Sequence, residues 1–383
     1  MRLLAQFKSF LRLSFIAVIM LLNCARIRID FATLPDFEAS NWERFAGDWA
    51  RTNQHSGQFR LPLQLKWKYN ASGTVGTAIL AVDGIAYFTT MDGRLIALDI
   101  VTGKKIGHRK IGVDATCVYH DSCLFIALRY GDKTLYKYQL NKGKFLWKID
   151  AGDIATEPLV VDQYIIVTAL YNHVDLYHIS NGVRLWQTKT DDQIRSSPAY
   201  RNGVIVFGCD DGNVYAVNPS DGKIRWKFKT SASVTATPAI GDSVVYVGSS
   251  DNHFYAIHLC SGKLIWRFAT NGQILQASAV NDSLVIFGSS DGQLYCLNRA
   301  TGTLRWSFPA KSIISTAPLI AGSFVLFGSL DQHYYAIDLA TGSERWKYKT
   351  NGRVRTAPVI WKNYLIAGSE NNELYIFSFA EEK

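Results

Sequence analysis

Short runs of apolar residues, separated by Gly, Asn, Asp and Ser, recur along most of this chain. Residues 234–270 read VTATPAIGDSVVYVGSSDNHFYAIHLCSGKLIWRFAT, and a second copy, ILQASAVNDSLVIFGSSDGQLYCLNRATGTLRWSFPA, follows. β-Branched and aromatic residues fill the runs, and turn pairs such as Gly241-Asp242 separate them. Each copy therefore predicts four short strands, which in the first copy span 234–240, 243–248, 254–258 and 263–269.

Tryptophan marks the period of these copies. Successive steps of 39, 40, 40, 40 and 40 residues separate Trp147, Trp186, Trp226, Trp266, Trp306 and Trp346. A fixed period near 40 with several strands in each unit is typical of a β-propeller. Eight first strands, beginning near residues 75, 113, 154, 194, 234, 274, 314 and 354, predict an all-β, eight-bladed propeller with four-stranded blades.

The two ends of the repeat region complement each other. The last copy has no fourth strand, while residues 61–69 form a lone strand that carries Trp67 in the tryptophan phase. We expect this strand to complete the last blade, because closing the ring removes exposed sheet edges. The predicted propeller spans 61–383. Trp361 lies outside the phase, and we expect it to stabilise the fold less than the periodic tryptophans.

The N-terminal region differs from the propeller in charge and hydropathy. Of the 41 basic and 32 acidic side chains, five basic and one acidic lie in residues 1–30. The rest of the chain therefore carries only a small excess of basic side chains, which gives no reason to expect nucleic acid as a partner. Residues 13–22 are almost wholly apolar and follow basic residues, as in a secretory signal peptide. We expect a signal region over 1–24 and a non-repeat leader over 25–60.

The end of the predicted signal region suggests lipid modification. Leu21-Leu22-Asn23-Cys24 resembles the bacterial lipobox, whose cysteine receives the lipid, although Asn23 departs from the preferred small residues. We expect Cys24 to anchor the protein at the periplasmic face of the outer membrane. An uncleaved signal anchor, or an ordinary signal that leaves a soluble periplasmic or secreted protein, stays open as an alternative.

The repeat resembles that of a known superfamily. The sequences ALDIVTG at 97–103 and AIDLATGSERW at 336–346 resemble the tryptophan-docking repeat of pyrroloquinoline-quinone (PQQ) enzymes, and the likeness covers residues 67–383. It implies that the periodic tryptophans join neighbouring blades. Quinone-dependent dehydrogenases of this superfamily also use a calcium ion and a disulfide between adjacent cysteines. The chain has no Cys-Cys pair and no evident calcium loop, so we expect no cofactor.

The size and the N-terminus resemble more closely the BamB-type lipoproteins of the outer-membrane β-barrel assembly machinery. This resemblance implies a monomeric, non-catalytic scaffold that binds protein partners in the cell envelope. Residues 42–51 also look like the leader of extracellular PQQ-like repeat proteins. A PQQ-dependent oxidoreductase and a propeller that binds a small ligand remain as alternatives.

Few side chains indicate chemistry. The histidines are scattered without metal-ligand spacing, and no phosphate loop or nucleophile elbow is present. Cys117 and Cys123 flank one turn and could pair across a hairpin. Two turns depart from the repeat, at 129–133 and 171–175, and either mark a binding face or reflect drift.

Charged residues on the first strands are the remaining candidates. First strands line the tunnel of a propeller, and most copies place small or hydroxyl residues there. Charged residues replace the small or hydroxyl residues in four copies. Asp114, Arg195 and Arg355 occupy one equivalent position of the repeat, and Glu157 lies two positions further along. Arg195 and Arg355 are four repeats apart and should face each other across the tunnel. Either the four charges pair with one another, or they bind an anionic ligand or a partner's peptide.

Overall fold

The computed structural model describes residues 41–379, and all of their regular structure is β. Two strands precede the first complete blade: β1, Gln54–His55, and β2, Gln64–Asn70. Blade 1 contains β3 Val75–Val82, β4 Ile85–Thr90, β5 Arg94–Asp99 and β6 Lys105–Lys110. Blade 2 contains β7 Thr116–His120, β8 Cys123–Ala127, β9 Leu135–Gln139 and β10 Lys144–Ile149. Blade 3 contains β11 Leu159–Val161, β12 Tyr164–Ala169, β13 His173–His178 and β14 Arg184–Lys189.

The next four blades repeat this order. Blade 4 contains β15 Ala199–Arg201, β16 Val204–Gly208, β17 Asn213–Val217 and β18 Ile224–Lys229. Blade 5 contains β19 Ala239–Gly241, β20 Val244–Gly248, β21 His253–His258 and β22 Leu264–Ala269. Blade 6 contains β23 Ala279–Val280, β24 Leu284–Gly288, β25 Gln293–Asn298 and β26 Leu304–Pro309. Blade 7 contains β27 Leu319–Ala321, β28 Phe324–Ser329, β29 His333–Asp338 and β30 Glu344–Lys349.

Blade 8 is built from both ends of the described chain. It contains β31 Val359–Trp361, β32 Tyr364–Gly368 and β33 Glu373–Ser378, and β2 forms its fourth strand. β2 pairs antiparallel with β33, from Gln64 opposite Ser378 to Asn70 opposite Glu373. The eight-bladed propeller and its closure by an N-terminal strand are therefore confirmed.

The first strand of each blade lies nearest the axis, and neighbouring first strands contact one another. These first strands are shorter than the sequence predicts. In blade 5 the predicted strand covers 234–240, whereas the observed strand is Ala239–Gly241. Pro238, which has no N–H, precedes it. The preceding residues are held by neighbouring blades, as when Ser196 Oγ donates to Ala236 O at 2.8 Å. Thr356 makes the corresponding bond to Gly76 O across the ring closure, also at 2.8 Å.

The periodic tryptophans join neighbouring blades. Each of six indole Nε1 groups donates to a backbone carbonyl of the next blade over 2.7–3.1 Å: Trp67 to Ile100, Trp147 to Ile179, Trp186 to Pro219, Trp226 to Leu259, Trp266 to Arg299 and Trp306 to Leu339. The ring lies against a glycine of that blade. At Gly302, whose φ is +69°, a Cβ would come within 2.5 Å of the Trp266 ring. Trp346 instead packs its ring edge-on to Phe377 of blade 8.

The structure bears on two smaller expectations from the sequence, and one of them, a pairing of Cys117 with Cys123, is wrong. Trp361 is only 5% exposed and belongs to the core that joins blades 7, 8 and 1, whereas most periodic tryptophans are half-buried. Its packing gives no reason for it to stabilise the fold less. Cys117 and Cys123 are both free, because Cys117 lies opposite Ile126 and Cys123 opposite His120 in the β7–β8 hairpin.

The closure of blade 8 can be tested with two truncated chains. A chain that begins at residue 71 lacks β2, so the edge of β33 and its apolar neighbours become exposed, and we expect aggregation or a sharply lower melting temperature. A chain that begins at residue 61 keeps β2 and serves as the matched control. Equal melting temperatures and equal monodispersity of the two chains would contradict closure by β2.

Candidate binding site at one end of the central tunnel

The leader crosses one end of the tunnel. Trp42 exchanges two backbone hydrogen bonds with Ala81 of β3, at 2.6 and 3.0 Å, and β1 pairs parallel with β27. Between these points, five inner-strand N–H groups donate to leader carbonyls over 2.7–3.0 Å: Tyr119 to Glu43, Tyr200 to Trp49, Ile240 to Ala50, Val280 to Thr52 and Ile320 to Asn53. The leader thus contacts the inner edges of the blades in turn.

These bonds have a simple physical cause. The innermost strand of a blade has no neighbour on its axial side, so its N–H groups there need another acceptor when they are buried. The repeat places the donors Tyr200, Ile240, Val280 and Ile320 at intervals of 40 residues, at one level along the axis. A single extended segment can therefore bond to all of them, and it closes this end of the tunnel.

Arg51 fixes the leader to blades 3 and 4. Its side chain is fully buried and donates from Nε to Pro198 O at 3.1 Å, and from Nη2 to Glu157 O and Pro158 O at 3.2 and 3.3 Å. Burial lowers the pKa of Arg51 to about 10, and the negative charge of Glu157 opposes this shift. Arg51 therefore stays cationic at neutral pH. Apart from the aromatic, non-linker character of the leader, nothing in the amino-acid sequence indicates this role of Arg51.

A cavity of about 280 Å³ occupies the tunnel above the leader, and Phe45 of the leader is part of its lining. Arg195 and Arg355 both line it, as predicted from their spacing of four repeats. Their side chains are 51% and 52% exposed, so this end is open to solvent. The rest of the wall is small, polar or apolar: Thr77, Ala155, Glu157, Ser197, Thr235, Thr237, Leu275, Gln276, Ala277, Ala317 and Ala357.

The charged residues at the tunnel do not pair with one another, so that alternative is wrong. Three of the four form an ion pair with the residue fifteen positions later in their own blade: Arg195 with Asp210 at 2.7 Å, Arg355 with Glu370 at 2.5 Å and Asp114 with Arg129 at 3.5 Å. Asp114 and Arg129 line a separate cavity of about 170 Å³, which shares Thr77 and Ala155 with the tunnel cavity. The mouth of the tunnel cavity therefore has arginines in blades 4 and 8.

Glu157 lies deeper in the tunnel wall. Its carboxylate accepts hydrogen bonds from Ser197 Oγ at 2.6 Å and from Thr77 Oγ1 at 3.3 Å. Among residues 41–379 it forms no salt bridge, because the guanidinium of Arg51 bonds to the backbone oxygen of Glu157 rather than to its carboxylate. The cavity thus contains one anionic group that is bonded only to hydroxyls.

The irregular turns of blades 2 and 3 expose tyrosines on the same face. Tyr130 is 51% and Tyr171 is 65% exposed. In the regular blades the turn carries an aspartate that accepts a bond from a strand tyrosine, as Asp251 does from Tyr255 at 2.7 Å. Blade 3 reverses the two residue types: Tyr171 occupies the turn, and Asp175 is fully buried beside His173 in the strand.

The residues present do not fit the cofactor site of the quinone-dependent enzymes. Within the described part of the chain, no group of three or more His, Cys, Asp or Glu side chains could hold a metal ion. Glu157 is the one carboxylate in the lining of the tunnel cavity, and the chain has no adjacent cysteines.

Residues 41–379 contain no helix with the length and hydrophobicity that a membrane-spanning helix requires.

The fold is shared with several solved proteins. The structure of BamB from Moraxella catarrhalis is similar with a TM-score of 0.70 at 17% identity, covering 83% of this chain and all of BamB. A europium-containing methanol dehydrogenase gives a TM-score of 0.76 at 13% identity, covering 89% of this chain and 98% of the enzyme. Quinohemoprotein alcohol dehydrogenase from Comamonas testosteroni gives 0.76 at 15% identity, covering 94% of this chain and 84% of the enzyme.

At these identities, the structural likeness establishes the fold alone. A comparison with curated protein sequences gives no match. A family of PQQ-like repeat proteins does match, over residues 106–226, 172–279 and 259–381, and its description is outer membrane protein assembly factor BamB. These overlapping matches cover most of the chain and nearly all of the propeller, and the protein therefore belongs to this BamB family of PQQ-like repeat propellers.

Proposed function

We propose that this protein is an exported, non-catalytic scaffold of the cell envelope that binds a protein partner at the open end of its tunnel. The observation that carries the proposal is the pair Arg195 and Arg355 at the mouth of a cavity that the leader closes from the other side. Membership of the BamB family supports a role in outer-membrane protein assembly.

The mouth is suited to an anionic group of the partner. Each guanidinium group is paired with a carboxylate of its own blade, but its remaining N–H donors can form charge-assisted hydrogen bonds to an acidic segment. The ion pair of Arg195 with Asp210 uses Nε and Nη2, so donors of this five-donor group remain for a ligand. Both guanidinium groups are about half-exposed, so an incoming carboxylate can reach them beside Asp210 and Glu370.

The location in the envelope rests on the N-terminal sequence. The signal region and Cys24 lie outside the described residues, so the anchor is proposed from the lipobox resemblance and from the family. A lipid on Cys24 would hold the propeller at a membrane surface, where the partners of an assembly scaffold are found.

An oxidoreductase is the competing function. Its support is the likeness to methanol and alcohol dehydrogenases, which at 13–15% identity concerns the fold. The tunnel residues supply neither the carboxylate cluster nor the adjacent cysteines of those enzymes. The scaffold function is therefore the better supported of the two.

The role of the mouth is tested by an Arg195→Gln/Arg355→Gln double variant of the full chain. We expect it to fold normally and to lose its partners in cross-linking capture from detergent-solubilised envelope, with capture by the unmodified protein weakening as salt rises. Arg345→Gln is the matched control, because Arg345 is 55% exposed and pairs with Asp338 away from the tunnel. Undiminished capture by a well-folded double variant would rule out the mouth as the partner site.

The anchor is tested by metabolic labelling with a fatty acid. We expect label in the unmodified protein and none in Cys24→Ala, because only a thiol at this position can receive the lipid. An unlabelled, soluble protein would show that Cys24 is not an anchor, without bearing on the tunnel.

A further inference from the structure

We propose that the tunnel binds a basic residue with a free α-carboxylate, the carboxylate at Arg195 and Arg355 and the side-chain cation at Glu157. The inference rests on the proposed function, in that it takes the two arginines to meet the anionic group of a ligand. It adds the chemical identity of that group and of the side chain beside it.

The closed end of the tunnel decides what kind of ligand enters. Trp49, Ala50, Thr52 and Asn53 bond to the inner strands of blades 4–7, and Phe45 lines the cavity where it meets the leader. A polypeptide therefore cannot pass through the tunnel as an extended strand. Only a chain end, a side chain or a small molecule fits a cavity of about 280 Å³ with one opening.

The two ends of the cavity differ in charge. Arg195 and Arg355 lie at the solvent side, while Glu157 lies two positions further along the chain than Ala155, the residue equivalent to Arg195 in blade 3. The ligand best matched to this arrangement carries an anion at the mouth and a cation further into the cavity.

Glu157 is suited to receive the cation. Its carboxylate is positioned by the hydroxyls of Ser197 and Thr77, and no described basic side chain pairs with it. The charges that face this region are Arg195 and Arg355 at the mouth and Arg51 behind the wall, where Arg51 is bonded to backbone oxygens. A carboxylate held by hydroxyls alone gains a charge-assisted hydrogen bond when an ammonium or guanidinium group enters.

Both charges occur together in a C-terminal lysine or arginine. The α-carboxylate forms the paired hydrogen bonds that guanidinium groups favour, and the four-carbon stem of lysine carries its ammonium group inwards past Thr235, Thr237 and Ala277. The same chemistry is present in a protein C-terminus and in a free basic amino acid. The blocked and unblocked probes below separate these two sources.

The test is calorimetric titration of the unmodified full chain with Nα-acetyl-L-lysine, which mimics a C-terminal lysine. We expect saturable binding, and about tenfold or greater weakening for Nα-acetyl-L-norleucine, which lacks the ammonium, and for Nα-acetyl-L-lysine amide, which lacks the carboxylate. If free L-lysine binds and the acetylated form does not, the source is an amino acid. If the acetylated form binds at least as well, the source is a chain end. Either result supports the proposed chemistry.

Variants of the protein show which residues bind the ammonium group of the probe and which bind its carboxylate. Glu157→Gln should remove the preference for lysine over norleucine, and Arg195→Gln/Arg355→Gln should remove the preference for the carboxylate over the amide. Arg345→Gln should change neither. Absence of binding, or equal affinity for the lysine and norleucine probes in the unmodified protein, would overturn the inference without requiring that any variant fold.

The outcomes separate this inference from the proposed function. Loss of envelope partners in the double arginine variant, with no binding of either Nα-acetyl-L-lysine or free L-lysine, overturns the inference and leaves the scaffold function standing. Binding of the probe together with undiminished partner capture overturns the scaffold site and supports a site for a small basic ligand.

Discussion

The structure depends on how the inner edges of the blades satisfy their backbone hydrogen bonds. Every first strand turns an edge towards the axis, and buried N–H groups on that edge need acceptors. The repeat sets the donors Tyr200, Ile240, Val280 and Ile320 at one level, where the carbonyls of the leader accept from them. One segment outside the repeats thereby completes the inner edges and gives the tunnel a closed end.

The chemistry of the tunnel follows from this closure. The proposed ligand would enter past Arg195 and Arg355, and Glu157 lines the same cavity. The mouth charges are each positioned by a partner within their own blade, as Arg195 is by Asp210, so the interfaces between blades do not depend on them. Those interfaces are held by the indoles and by hydroxyls such as that of Ser196. The two arginines proposed to bind a partner are thus distinct from the residues that join the blades.

The features that follow from the 40-residue period could be predicted from the sequence. Trp266 and its equivalents, the eight blades and the completion of blade 8 by β2 follow from spacing, and so does the placement of Arg195 and Arg355 in one cavity. Contacts outside the period could not be predicted. Nothing in the sequence indicates that Asp210 pairs with Arg195, and nothing in the residues around Arg51 indicates which carbonyls its side chain would meet. The period likewise gives no indication of how deeply Trp361 is buried.

Amide hydrogen exchange tests the central claim most directly, by comparing the full chain with a chain that begins at residue 61. With the leader present, the N–H groups of Tyr200, Ile240, Val280 and Ile320 should exchange slowly; without it, they should exchange much faster. The equivalent N–H of Val160, which donates to no described leader carbonyl, should change least. Unchanged protection of the four amides after removal of the leader would contradict the account of a tunnel closed by this segment.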